Sequence, residues 1–141
     1  MSIQFHSVGQ IEHGRLKFVD AVAETDIFNG AIGEIATGKF KVGEKKTVVV
    51  MQVECGDDAG LDVYPISKGS HVRTFDLSTA VGELLDVYGE LPDKVKVADK
   101  LQSDASGKLV VEASVDSGIY LEVKEVIGNN DGLVVEVKQQ G

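Results

Sequence analysis

Ile119-Tyr120-Leu121-Glu122-Val123-Lys124-Glu125-Val126-Ile127, the loop Gly128-Asn129-Asn130-Asp131-Gly132, and then Leu133-Val134-Val135-Glu136-Val137 form the stretch that decides the fold. Both flanking runs are rich in apolar and β-branched residues near every second position, the pattern of a strand with one buried face. The five residues between them belong to types that tolerate positive φ. The two runs are therefore expected to pair antiparallel.

The same reading extends upstream. Asp104-Ala105-Ser106-Gly107 is a turn leading into Lys108-Leu109-Val110-Val111-Glu112-Ala113, and Lys94-Val95-Lys96-Val97 alternates strictly, so the C-terminal third reads as a hairpin or meander. Lys45 to Val53 carries Thr47-Val48-Val49-Val50-Met51, a continuous apolar centre that predicts a buried strand. Arg15-Leu16-Lys17-Phe18-Val19 alternates and continues through Ala21-Val22-Ala23, Asn29-Gly30 marks a turn, and Ala31 to Ile35 follows as a strand. Leu61-Asp62-Val63-Tyr64 is a short strand or extended segment ended by Pro65, and Ser67 to Leu77 is expected to be an ordered loop. In Thr79 to Tyr88, the stripe Val81, Leu84, Leu85 and Tyr88 predicts one short helix capped by Ser78.

The expectation is an all-β chain, a small β-barrel or curled antiparallel sheet with at most one short helix at about residues 79–88. Residues 1–15 are an N-terminal arm or first strand, with Ile3, Phe5, Val8 and Ile11 near alternating positions, and residues 16–141 are a single β-rich domain. Both halves carry a Gly-rich turn and a Val-rich strand, but no fixed period relates them.

With 141 residues, 43% of them hydrophobic, the chain can bury a core without staples. Fourteen basic and twenty-three acidic residues leave a formal charge of −9, which opposes nucleic acid as a partner. Neither a signal-peptide pattern nor a membrane-length apolar run is present, so the chain is expected to be made in the cytoplasm and to span no membrane. The single cysteine, Cys55, excludes an intramolecular disulfide and a multi-thiolate zinc site.

The residues that could carry chemistry do not assemble into a known pattern. His6 and His13 lack the spacing that places two ligands on one helix face, and Cys55 precedes an acidic turn rather than a cation that would activate its thiol. Asp57, Asp58 and Asp62 match a calcium loop in composition but not in ligand order. In Ser67-Lys68-Gly69-Ser70 the glycine follows the lysine, the reverse of a phosphate-binding loop. No enzyme activity, cofactor or metal is expected. Tyr64, Tyr88 and Tyr120 could stack on a sugar in a small-ligand or carbohydrate-binding β-barrel, but three tyrosines without tryptophan make a poor platform.

Four motifs, in shared order from Leu16 to Val137, carry a resemblance. They are Phe28-Asn29-Gly30-Ala31-Ile32-Gly33-Glu34-Ile35 with the Gly43-Glu44 turn beyond it, and Lys68-Gly69-Ser70-His71-Val72-Arg73-Thr74-Phe75-Asp76-Leu77. Val97-Ala98-Asp99-Lys100-Leu101 leading to Ser106-Gly107-Lys108-Leu109-Val110 is the third, and the closing strands at Val123–Val126 and Val134–Val137 are the fourth. Together they resemble small virion proteins of phages that infect Gram-positive bacteria, encoded among head genes and expected to decorate the capsid. Two departures are Ala98, where that family usually has glycine, and His71 inside the arginine loop.

The resemblance implies a virion structural protein on the capsid surface that binds the major capsid protein, with self-association into a small oligomer and no nucleic-acid or membrane partner. A head–tail joining or tail component is the alternative. Arg73 is the leading partner-binding candidate, because a guanidinium can grip a carboxylate of a neighbouring subunit in bidentate fashion. A salt bridge within the chain to Asp76 or Asp62 is the competing role. His71 and Phe75 of the same loop, and Phe5 of the N-terminal segment, complete the candidate set.

Overall fold

The computed structural model describes residues 2–5, 18–51, 65–89, 91–115, 117–128 and 132–140. Thirteen strands account for nearly all of its regular structure: β1 (Ser2–Phe5), β2 (Val19–Ala23), β3 (Ile27–Phe28), β4 (Ile32–Ala36), β5 (Lys39–Val42), β6 (Val48–Val50), β7 (Pro65–Ile66), β8 (His71–Asp76), β9 (Leu84–Tyr88), β10 (Lys100–Ser103), β11 (Leu109–Val111), β12 (Gly118–Ile127) and β13 (Gly132–Gln140). The expected all-β class with a barrel is what the chain adopts.

The strands form two main bodies. A closed barrel runs β2-β5-β4-β6-β8, and a six-stranded sheet runs β1-β9-β13-β12-β10-β11; β3 and β7 make a separate two-stranded ribbon. Every barrel pairing is antiparallel except β2 with β5. The barrel interior holds Ala21, Ala23, Ala31, Val50 and Val72 around Phe40, so one large ring and several small residues fill the narrow lumen. A second core lies between the barrel wall and the sheet. Ile32, Val49 and Phe75 face outward from the barrel and meet Leu85, Val87, Leu101, Leu121, Val123, Leu133, Val135 and Val137 of the sheet. This explains the unbroken apolar run in β6, where Val50 faces the lumen and Val49 faces the sheet.

Backbone hydrogen bonds also join the two bodies. Ser103 at the end of β10 accepts from Lys45 N–H at its carbonyl, while its Oγ accepts from Lys46 N–H and donates to the Gly43 carbonyl at 2.8 Å. Four residues on, Ile32 N–H donates to the Gly107 carbonyl, and Gly107 takes φ +83° with Ile32 and Val42 so close that a Cβ would meet them at 2.8–2.9 Å.

Three expectations are corrected. The helix expected at about 79–88 is instead β9, preceded by a single 3-10 turn at Leu77–Thr79 whose cap is Asp76, not Ser78. Gly82 at φ +95° breaks any helix there, and Leu85 and Val87 face the core while β1 and β13 hydrogen-bond the strand on both sides. The loop expected at Ser67–Leu77 contains β8, a central barrel strand paired with β2 and β6. Its polar look comes from outward His71 and Arg73, and from Thr74, which is buried and donates its hydroxyl to the Val19 carbonyl. Lys94–Val97 forms successive turns rather than a strand: Val95 is buried, Val97 is exposed, and both Lys94 and Ala98 have positive φ.

The 2–5 segment is a strand of its own chain, pairing with β9 from Ser2↔Tyr88 to Phe5↔Leu85. Cys55, the acidic turn at 56–60 and the Leu61–Tyr64 segment lie outside the described residues, as do His6, His13 and Arg15.

Candidate binding surfaces

Three of the four candidate residues converge on one spot. Phe5 at the end of β1, Phe18 just before β2 and Phe75 of β8 form an edge-to-face triangle with centroids 5.0–6.2 Å apart. Arg73, two residues before Phe75 and on the same outward side of β8, lays its guanidinium carbon 4.1 Å from the centre of the Phe18 ring and donates Nε–H to the Met51 carbonyl at 2.7 Å. Phe75 is fully buried and Phe5 and Phe18 are half-buried, so this cluster seals the seam between barrel and sheet. The Phe75 ring is thus packed within the chain. The contacts of Arg73 include a ring and a carbonyl, and Asp76 caps the 3-10 turn by accepting from the Ser78 N–H and hydroxyl. Asp62 lies outside the described residues.

His71 stands apart from that cluster. It is exposed at the start of β8, opposite Val22 of β2, which is itself opposite Lys39 in the parallel β2–β5 pair. Residues that face each other in register share a side of the sheet, and Ala23 and Phe40, one step along, are buried in the lumen. His71, Val22 and Lys39 therefore make a row on the outside of the barrel. Beside them opens a cleft of about 450 Å³, lined by Val22, Ala23, Glu24, Lys39, Lys41 and Lys68 together with Thr25 and Gly69. Sequence reasoning set Ser67-Lys68-Gly69-Ser70 aside. In the fold it is a turn, with Gly69 at φ +87° and Ser70 N–H donating to the Ser67 carbonyl, that projects Lys68 toward β5.

Charge is handled differently on the sheet. On its outer face Lys124 reaches Glu122 at 2.7 Å and Glu136 at 3.6 Å, and Lys138 reaches Glu122 at 3.1 Å. Hydrogen bonds from Lys124 and Lys138 hold the Glu122 carboxyl below its ordinary range, against a smaller opposing effect of burial. Lys100 sits over the Tyr120 ring at 5.3 Å. Tyr120 is buried on β12, and Tyr88 on β9 covers Gly132 of the intervening β13, so these two tyrosines form no shared stacking platform. Tyr64 lies outside the described residues. Among the described residues, no group of three or more His, Cys, Asp or Glu side chains is placed to hold a metal ion. Likewise, no helix is long and apolar enough to cross a membrane.

No known protein family, curated protein or solved structure matches this chain.

Proposed function

We propose that the chain is a structural protein of a bacteriophage virion, an auxiliary that binds the major capsid protein on the head surface, stabilises the shell and acts without catalysis. The observation that carries this reading is where the motifs of the resemblance fall in the fold. Gly30, Gly69, Ala98 and Gly107, one or more from each of the first three motifs, all take positive φ between +77° and +87°. Ala98 occupies the place where the family usually has glycine, and its backbone is in the left-handed region that glycine adopts freely. These motif positions coincide with turns of the fold at positive φ, which supports the reading.

A rigid double-layered β scaffold suits a protein that works through its surface, although the same scaffold could serve a head–tail joint. Co-sedimentation with shells assembled from the major capsid protein of the same genome, followed by imaging, tests the proposal. Saturable binding at a regular lattice position is expected; absence of binding, with the protein found at the neck or tail of virions, overturns it.

A further inference from the structure

We propose that the lysine-lined cleft on the barrel is the docking surface, and that its occupant is a carboxylate-bearing surface of the shell subunit; the inference rests on the function proposed above. It starts from the distribution of charge. Residues 77–141, which build five of the six sheet strands, carry twelve acidic and six basic side chains, and residues 18–76, which span the barrel strands, carry ten acidic and six basic. Both halves are acidic, so a local cluster of cations is what would draw a partner of negative potential.

Within the barrel the cations are not evenly spread. Lys39 and Lys41 project from the same side of β5 because Phe40 between them fills the lumen, and Lys68 joins them from the turn before β8. All three are exposed, and none forms an ion pair with a described residue. The nearby carboxylates have other partners or stand apart from them. Glu34, opposite Lys41, is engaged by Lys46 at 3.1 Å, and Asp26 accepts from the Lys68 backbone N–H at 2.8 Å, which leaves Glu24 as the one acid lining the cleft. His71 and Val22 extend the surface along the next two strands.

Protein carboxylates suit this cleft better than a nucleic-acid backbone. Val22 and Ala23 line it together with the lysines, and Glu24 in the same lining would repel a continuous line of phosphates while pairing readily within a mixed protein interface. Three lysines without an ion pair to a described residue, next to Val22, offer charge for steering and apolar contact for residence.

The test compares two double charge reversals with the same change in net charge. Lys39→Glu/Lys68→Glu alters the cleft, whereas Lys94→Glu/Lys96→Glu alters exposed turn lysines outside it. In co-sedimentation with shells, the cleft double variant is expected to bind at least about tenfold more weakly, the turn double variant to bind as the parent does, and parent binding to weaken from about 50 to about 500 mM salt. Lys39→Gln/Lys68→Gln, which adds no repulsion, is expected to fall between them, and it serves if the reversal disturbs folding by circular dichroism. Equal loss in both double reversals, or parent-like binding by both cleft variants, overturns the cleft as the docking surface while leaving the proposed function standing. If the parent protein does not bind shells at all, the proposed function falls and this inference falls with it. Concentration-dependent self-association of the parent that the cleft variants abolish, without an effect on shells, reassigns the cleft to a second copy and overturns the proposal.

Discussion

The barrel and the sheet solve the burial problem in different ways. Barrel strands are three to six residues long and close on themselves around one phenylalanine and several small residues. The longest sheet strands, β12 and β13, have ten and nine residues, and the sheet buries one face of Leu and Val while the other carries paired charges. Closure leaves the barrel no edge to satisfy, so its outer wall is free to meet the sheet on one side and to expose lysines on another. The sheet, by contrast, depends on the barrel to cover its apolar face. The two bodies are therefore expected to unfold as one unit, because each is incomplete without the other.

The sharpest way to break that comparison is at Gly33, whose Cβ would lie 2.0 Å from the Lys41 carbonyl oxygen. Gly33→Ala is expected to cost more than about 3 kcal/mol by preventing β4 from closing on β5, and to lower sheet signals equally in denaturant titrations followed by NMR. Survival of the sheet alone would show that it stands independently. Phe75→Ala empties the interface itself and is expected to cost about 3–5 kcal/mol with a single melting transition in calorimetry. Two transitions would separate the bodies.

Smaller changes refine the picture at the polar seam. Ser103→Ala removes a buried hydroxyl that accepts from Lys46 and donates to Gly43, with an expected loss of about 1–3 kcal/mol measured by urea unfolding. Ala98→Gly relieves a left-handed alanine at the start of the sheet half and is expected to raise stability by about 1 kcal/mol at most, read as an increase in urea midpoint. The smallest effect concerns the charge ladder. The Glu122 carboxyl is held below its ordinary value of 4.5, so its contribution is present above that value and is lost as pH falls through the folded one. The drop in melting temperature across that window should shrink in Glu122→Gln, measured in parallel acid titrations.

Much of this fold was readable from residues alone. The β12–β13 hairpin and the β10–β11 turn were clear because alternation and Gly/Asn/Asp turns agreed at each position. Asp104 holds that second turn by accepting from the Ser106 and Lys108 backbones and the Ser106 hydroxyl. Elsewhere local pattern and tertiary demand diverged. Leu84, Leu85 and Tyr88 sit at helical spacing, yet β9 is a strand because neighbours on both sides claim its backbone. In β8 the burial is divided between two cores, so no single period appears. The lysine cleft was invisible for another reason: Lys39, Lys41 and Lys68 meet only through the β2–β5 pairing and the turn before β8. Arg73 and Phe75 stood out by residue type, but their environment is the seam and not an open face.

The order of the strands sets a timetable for synthesis. β1 is made before the barrel strands but pairs with β9, and the barrel strands all lie between them in the chain. As the chain emerges from the ribosome, every barrel strand is available before any partner for β1 exists. Until β9 to β13 arrive, the outward Ile32, Val49 and Phe75 lack the sheet that covers them, so a half-made chain displays much of the sticky wall that the finished one hides. Pairings this distant in sequence also make for slow folding, on the order of milliseconds to seconds. Within the growing chain, the interval between barrel closure and sheet arrival is when a chaperone would matter most.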